Sequence, residues 1–187
     1  MHDLMPLIGN LTVHDLSIIT THNTASSKLT ATFSDNCLGL TAEESRLAHD
    51  ASILPKALNP EGRFAQKWAQ VQTLDLVEQL DAGVRSIDFR MIWTAPADQL
   101  SSARHDWYVN HRVQSAEPAM WYLERLKAWM DQHPGEIVSR SILPTLNTRS
   151  PDSPEGANVN LASCRQYLSI HTHLCAPRLL CELHEAL

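Results

Sequence analysis

Apolar positions along the chain switch between a period near two and a period near three and a half, and those switches outline the elements. Residues 16–21 (LSIITT) are apolar and β-branched and read as a buried strand ending at His22 and Asn23. Residues 24–63 turn polar and irregular, a long excursion with a short helix expected over 42–51. Next comes a helix with Thr73 as its expected N-cap, Asp75 in the first turn and Gly83 at the C-terminal end. Leu74, Val77 and Leu80 share one face of it. Directly after the glycine, residues 84–91 alternate: Ile87, Phe89 and Met91 on one side, Ser86, Asp88 and Arg90 on the other. A polar loop over 94–106 leads to a second strand at 107–111. A second helix is expected over 117–132, with Met120, Leu123, Leu126 and Met130 as its apolar stripe and His133-Pro134-Gly135 as its stop. A third strand is expected over 136–143. Strands alternating with helices predict an α/β fold with parallel pairing. Residues 144–160 read as a loop, and 161–187 as a weakly helical, unassigned tail broken by Pro177.

Composition narrows the class without naming a function. The 187 residues are 43% hydrophobic and 19% charged, the profile of a soluble globular chain, and the length suits one domain. Lys and Arg number 15 against 21 Asp and Glu, a net charge of −6, which argues against nucleic acid as a partner. No run approaches the roughly 18 apolar residues of a membrane span. His2 and Asp3 stand where a secretory leader would carry positive charge, so a cytoplasmic location is the expectation. Cys37, Cys164, Cys175 and Cys181 contain no C-x-x-C pair and read as free thiols. His171, His173, Cys175 and His184 match no zinc spacing, and no glycine-rich phosphate loop or nucleophile elbow is present.

The candidate chemistry lies in polar residues where a strand should be buried. A strand of a parallel sheet is normally apolar on both faces, yet Asp88 and Arg90 share one face of this one. An internal ion pair between neighbours is one reading; a charged cluster at the carboxyl end of a barrel strand is the other. His22 and His111 each close a predicted strand. Two imidazoles suit general base and general acid roles near neutrality, and an arginine fork suits phosphate oxygens. Base, acid and phosphate clamp together describe cleavage of a phosphodiester. Trp93 and Trp107 flank the loop before His111, where they could line a barrel mouth and touch a membrane surface; Trp121 and Trp129 read as packing.

These residues stand in motifs that resemble the X-domain catalytic barrel of phosphatidylinositol-specific phospholipase C, within the phospholipase C-like phosphodiesterase superfamily. The run Thr21-His22-Asn23-Thr24-Ala25-Ser26 is similar to the family's G-T-H-[DN]-S-G start. Trp68, Gln72-Thr73-Leu74 and the string from Glu78 to Arg90 (EQLDAGVRSIDFR) follow. Then come Tyr108-Val109-Asn110-His111 and DQHPGEIV at 131–138. The resemblance spans about residues 11–143, in family order. It implies a TIM-barrel-like α/β fold that is incomplete, about half a barrel, because such a barrel takes roughly 250 residues.

By position the resemblance makes His22 the general base, His111 the general acid and Arg90 the phosphate-binding arginine. Asp88 assists from the same strand, and Asn23 takes a substrate-binding place where the family has Asp or Asn. The implied substrate is a phospholipid or a related small phosphodiester, with transient membrane contact. Calcium-dependent members carry Glu-x-Asp on this strand and calcium-independent ones Asp-x-Arg; Asp88-Phe89-Arg90 therefore implies no metal cofactor. Departures are Arg112 in place of the glycine after the second histidine, no lysine in SRSILP at 139–144, and no recognisable late aspartate to orient the first histidine. Those departures leave an alternative: a truncated, non-catalytic domain that binds phosphate, lipid or a protein partner.

Overall fold

The computed structural model describes residues 4–12, 15–34, 42–52, 59–99, 105–145 and 179–182. After a short α1 (Met5–Ile8) come β1 (Thr20–Thr21), a 3-10 turn (Ser26–Lys28), β2 (Leu29–Phe33), α2 (Ala42–Ser52), α3 (Pro60–Ala69) and α4 (Leu76–Asp81). Then follow β3 (Ser86–Thr94), β4 (Asp106–His111), β5 (Val113–Pro118), α5 (Ala119–Gln132), β6 (Val138–Thr145) and β7 (Leu179–Glu182). The strands form one sheet in the order β2-β5-β4-β3-β6-β7, with β1 also paired to β3. The α/β class is as expected. Among the described residues the sheet is open, with β2 and β7 outermost, in keeping with an incomplete barrel.

Pairing is mixed rather than parallel throughout. β1, β6 and β7 run parallel to their neighbours, but β4 pairs antiparallel to β3, β5 to β4 and β2 to β5. The second helix starts at Ala119 because residues 113–118 form β5, a tight antiparallel return after His111. The expected strand over 16–21 shrinks to Thr20–Thr21, and Ile19 is 63% exposed. β1 meets β3 only at Ser86 and Ile87, while β4 takes the same edge from Met91 onward. Of the expected weakly helical tail, the described residues Leu179–Glu182 form a strand along β6. Of the expected 144–160 loop, residues 144 and 145 belong to β6, and residues 146–160, like Cys37, Cys164, Cys175, His171, His173 and His184, lie outside the described residues.

β3 shows why alternation was informative. Ile87, Phe89 and Met91 are buried, with Leu76, Leu80, Leu126, Val138 and Ile142 in the same core. Phe89 meets Tyr122 of α5 edge-on, ring centroids 6.0 Å apart. Burial pushes the Tyr122 phenol from 10.0 up to about 12. The neighbouring Ser115 hydroxyl, which accepts the Val109 N–H and donates to the Glu117 carbonyl, offsets only part of that rise.

The helix before β3 is capped by Asp75, not Thr73. The Asp75 carboxylate accepts from the Val77 and Glu78 N–H groups, and Glu78 accepts the Asp75 N–H in return. A cap must reach its own second and third helical amides, and only the residue two positions after Thr73 does so. Leu74 is consequently outside the helix and 45% exposed. Gly83 ends the helix at φ 101°, the left-handed conformation glycine adopts without strain. Among the described residues, no helix is long and apolar enough to cross a membrane.

Candidate active site

Strand register brings the site together. β1 runs parallel to β3 and reaches Ile87 at Thr21; β4 runs antiparallel and reaches Met91 at Val109. The two strands approach each other from opposite directions along one edge of β3. Their ends, His22-Asn23 and Asn110-His111, therefore converge beside Asp88, Phe89 and Arg90. Asp88 and Arg90 sit within β3 rather than at its carboxyl end, so the cluster forms where two strand ends meet mid-strand.

The imidazoles of His22 and His111 lie with ring centroids 6.4 Å apart and planes at 87°. Between His22 and β3 the polar groups are close. Asp88 Oδ2 lies 3.2 Å from His22 Nδ1, and Arg90 Nη2 lies 3.2 Å from that same nitrogen. Arg90 donates to Asp88 through Nε at 3.2 Å and lies 3.1 Å away through Nη2. The ion-pair reading of Asp88 and Arg90 and the site reading thus describe one arrangement. A carboxylate only accepts and a guanidinium only donates. His22 Nδ1 therefore has a matched partner whether it carries a proton (Asp88) or a lone pair (Arg90), which suits a group that must take up and release a proton.

His111 is held differently. Its Nδ1 is 2.8 Å from the main-chain carbonyl of Ala69, the last residue of α3. That oxygen can only accept, so Nδ1 carries the hydrogen and Nε2 is left for chemistry. Asn23 donates its backbone N–H to Asp88 Oδ2 at 3.1 Å, while its carboxamide is buried and without a partner. Of the five site residues expected from sequence, all five are gathered here. Arg112 has a φ of 67°, so the backbone after His111 makes the left-handed turn that a glycine would make.

One aromatic expectation changes. Trp107 is buried and packs against half-buried Trp93, so Trp107 does not line an open mouth. Among the described residues, the exposed large aromatics are Phe64 and Trp68 of α3, at 65% and 73% exposure. They border a cavity of about 690 Å³ that also touches Phe33, Ala69, His111 and Arg112. Sequence reading missed α3, although Asn59 before Pro60 is an N-cap signal: the Asn59 side chain accepts from the Gly62 N–H at 2.8 Å.

Among the described residues, no group of three or more His, Cys, Asp or Glu is placed to hold a metal ion. The donor set does not suit calcium, which takes six to eight oxygens. Asp88 is the carboxylate of this cluster, and it is already paired with a guanidinium.

No protein-family model matches the chain. Two curated relatives do. The chain is 32% identical over 139 residues to PI-PLC X domain-containing protein 1 of Homo sapiens, covering 74% of this chain and 39% of that protein. The protein of the same name from Mus musculus is 32% identical over 143 residues, covering 74% and 36%. The chain thus spans less than two fifths of the length of these relatives. Among solved structures, phosphatidylinositol-specific phospholipase C from Listeria monocytogenes aligns with a TM-score of 0.39 at 18% identity, over 88% of this chain and 58% of that one. On the curated matches, the chain belongs to the PI-PLC X-domain family.

Proposed function

We propose that this chain carries a phospholipase C-like phosphodiesterase site acting on a phospholipid or a related phosphodiester. The observation that supports it most directly is His22 Nδ1 set between Asp88 and Arg90, with the His111 ring 6.4 Å away. In this reading His22 takes the proton of a hydroxyl neighbouring the phosphate, the inositol 2-hydroxyl in a phosphatidylinositol. The oxygen bonds to phosphorus, the bond to the glycerol oxygen breaks, and His111 gives that oxygen its proton. The product is a cyclic phosphate, which water opens in a second step with the histidines exchanging roles. Arg90 meets the charge that develops on the phosphoryl oxygens, in the place where calcium-dependent members use a metal. Asp88 orients His22 and stabilises its protonated form. Phe64 and Trp68 beside His111 make the transient membrane contact, and the protein works in the cytoplasm.

A second reading, binding of phosphate, lipid or a partner without turnover, draws support from the open sheet edges among the described residues. Release of water-soluble phosphate from phosphatidylinositol vesicles, with and without a calcium chelator, separates the two. The catalytic reading expects chelator-resistant formation of a cyclic phosphate. A chain that is folded by circular dichroism yet releases nothing from these or other phosphodiester substrates overturns it in favour of the second.

A further inference from the structure

The two imidazoles stand edge to face with ring centroids 6.4 Å apart, and each is held in that pairing by partners of its own. His22 opens a segment with little ladder of its own: β1 ends at Thr21, and the next strand begins at Leu29. The carbonyls of that segment are met by a series of glutamines from residues 66–79. Gln66 donates its carboxamide to the Leu29 carbonyl at 2.6 Å, and Gln70 to that of Ser27 at 3.2 Å. Gln72 donates to the carbonyl of His22 itself at 2.8 Å. Buried Gln79 donates to the carbonyls of Thr24, at 2.7 Å, and Leu74, at 2.8 Å.

The same stretch of chain holds the other histidine. A helix leaves its last four carbonyls without intrahelical partners. One of these at the end of α3, that of Ala69, receives His111 Nδ1 at 2.8 Å. Ala69 lies between Gln66 and Gln70, so one helical turn reaches the His22 segment through side chains and His111 through its main chain. We propose that residues 66–79 are the positioning element for both imidazoles, with Gln72 the positioning residue for His22. This rests on the acid–base reading above and extends it: strand register brings the two histidines together, and a third body, the 66–79 stretch, fixes the separation of base and acid. Acid–base catalysis is sensitive to such placement, since a shift of about 1 Å costs about 100-fold in rate.

Two measurements test it, one of them independent of turnover. In nitrogen-15 spectra of histidine-labelled protein, neutral His111 is expected as the Nδ1–H form, because its partner is a carbonyl. Gln72→Ala is expected to shift the ring signals of His22 and leave those of His111 in place. Kinetically, Gln72→Ala and Gln72→Glu, which both lack the donor, are expected to lower kcat on phosphatidylinositol vesicles by about 10-fold at unchanged KM. Gln72→Lys, which keeps a donor, is expected to recover most of the loss. An Nε2–H form of neutral His111, or His22 signals indifferent to Gln72→Ala, overturns the proposal. So does a fall in kcat that tracks the melting temperature and is not recovered by lysine. Wild-type protein that turns over no phosphodiester removes the acid–base reading alone; the ring signals still decide whether residues 66–79 hold the histidines.

Discussion

Arg90 and Arg140 lie on hydrogen-bonded neighbouring strands and meet opposite fates. Arg90 of β3 is on the face shared with Asp88, its side chain 34% exposed, and its guanidinium contacts both Asp88 and His22. Arg140 of β6 is in register with Ile87, which places it on the face of the apolar core. It is almost fully buried, and its Nε and Nη2 have no hydrogen-bond partner. A third arginine, Arg85, shows how a charge beside the core can be satisfied. It donates to Glu136 at 2.7 Å and to the carbonyls of Leu80 and Val84, and it stacks over Trp129. The difference teaches that a strand tolerates a guanidinium where a carboxylate sits two residues away and water reaches it. One residue's change of face turns the same group into a destabilising one.

The contrast can be broken first at Arg90. Arg90→Leu removes the guanidinium proposed to meet the phosphate and one of the two partners of His22 Nδ1. It is expected to lower phosphodiesterase kcat by about 100- to 1,000-fold while the melting temperature changes little. A fall of less than about threefold would mean that Arg90 does not meet the phosphate.

Arg140 is expected to respond in the opposite sense. Arg140→Met replaces a buried, incompletely paired charge by an unbranched apolar side chain that follows most of the same path, and urea unfolding should show a gain of about 1–4 kcal/mol. A loss of stability would show that Arg140 has a partner that matters.

The smallest effect concerns Tyr122, a phenol buried in the core against Phe89 of β3. Its phenol is raised from 10.0 to about 12, so the folded chain keeps a proton that the unfolded chain has already released. The corresponding stability is fully present below pH 10.0 and is lost as pH rises through about 12. Tyr122→Phe is expected to change stability by less than about 1 kcal/mol near neutrality and to flatten this alkaline decline. Urea unfolding of both proteins near neutrality and at about pH 11 checks it; equal declines would assign the alkaline sensitivity elsewhere.

What could be read in advance followed how locally each element is encoded. The period of two in β3 was legible because Ile87, Phe89 and Met91 face a core that Asp88 and Arg90 do not. β5 (VQSAEP) was not, because its buried positions include Gln114 and Ser115. Gln114 is satisfied by the Ala95 carbonyl at 2.7 Å, a partner 19 residues away. The direction of β4 was likewise hidden, since nothing in Trp107 to His111 distinguishes parallel from antiparallel pairing. The five site residues were legible as motif letters. Their arrangement was not, for it depends on two strands meeting end to end and on the backbone oxygen of Ala69, which no side chain announces.

Asn23 and Arg112, the non-glycine residues with positive φ among those described, each follow a histidine of the site immediately. At 47° and 67° both turn the chain left-handed just as a strand delivers its imidazole. This has a consequence for how the sequence can drift. A β-branched side chain is nearly excluded from that conformation, while glycine, asparagine and aspartate enter it readily. The two positions are distant in sequence and different in chemistry, yet both disfavour β-branched residues, and Arg112 shows that an unbranched long side chain holds the turn. A search for kindred chains that insists on glycine after the second histidine would pass this one over; a search that asks which residues tolerate the turn would retain it.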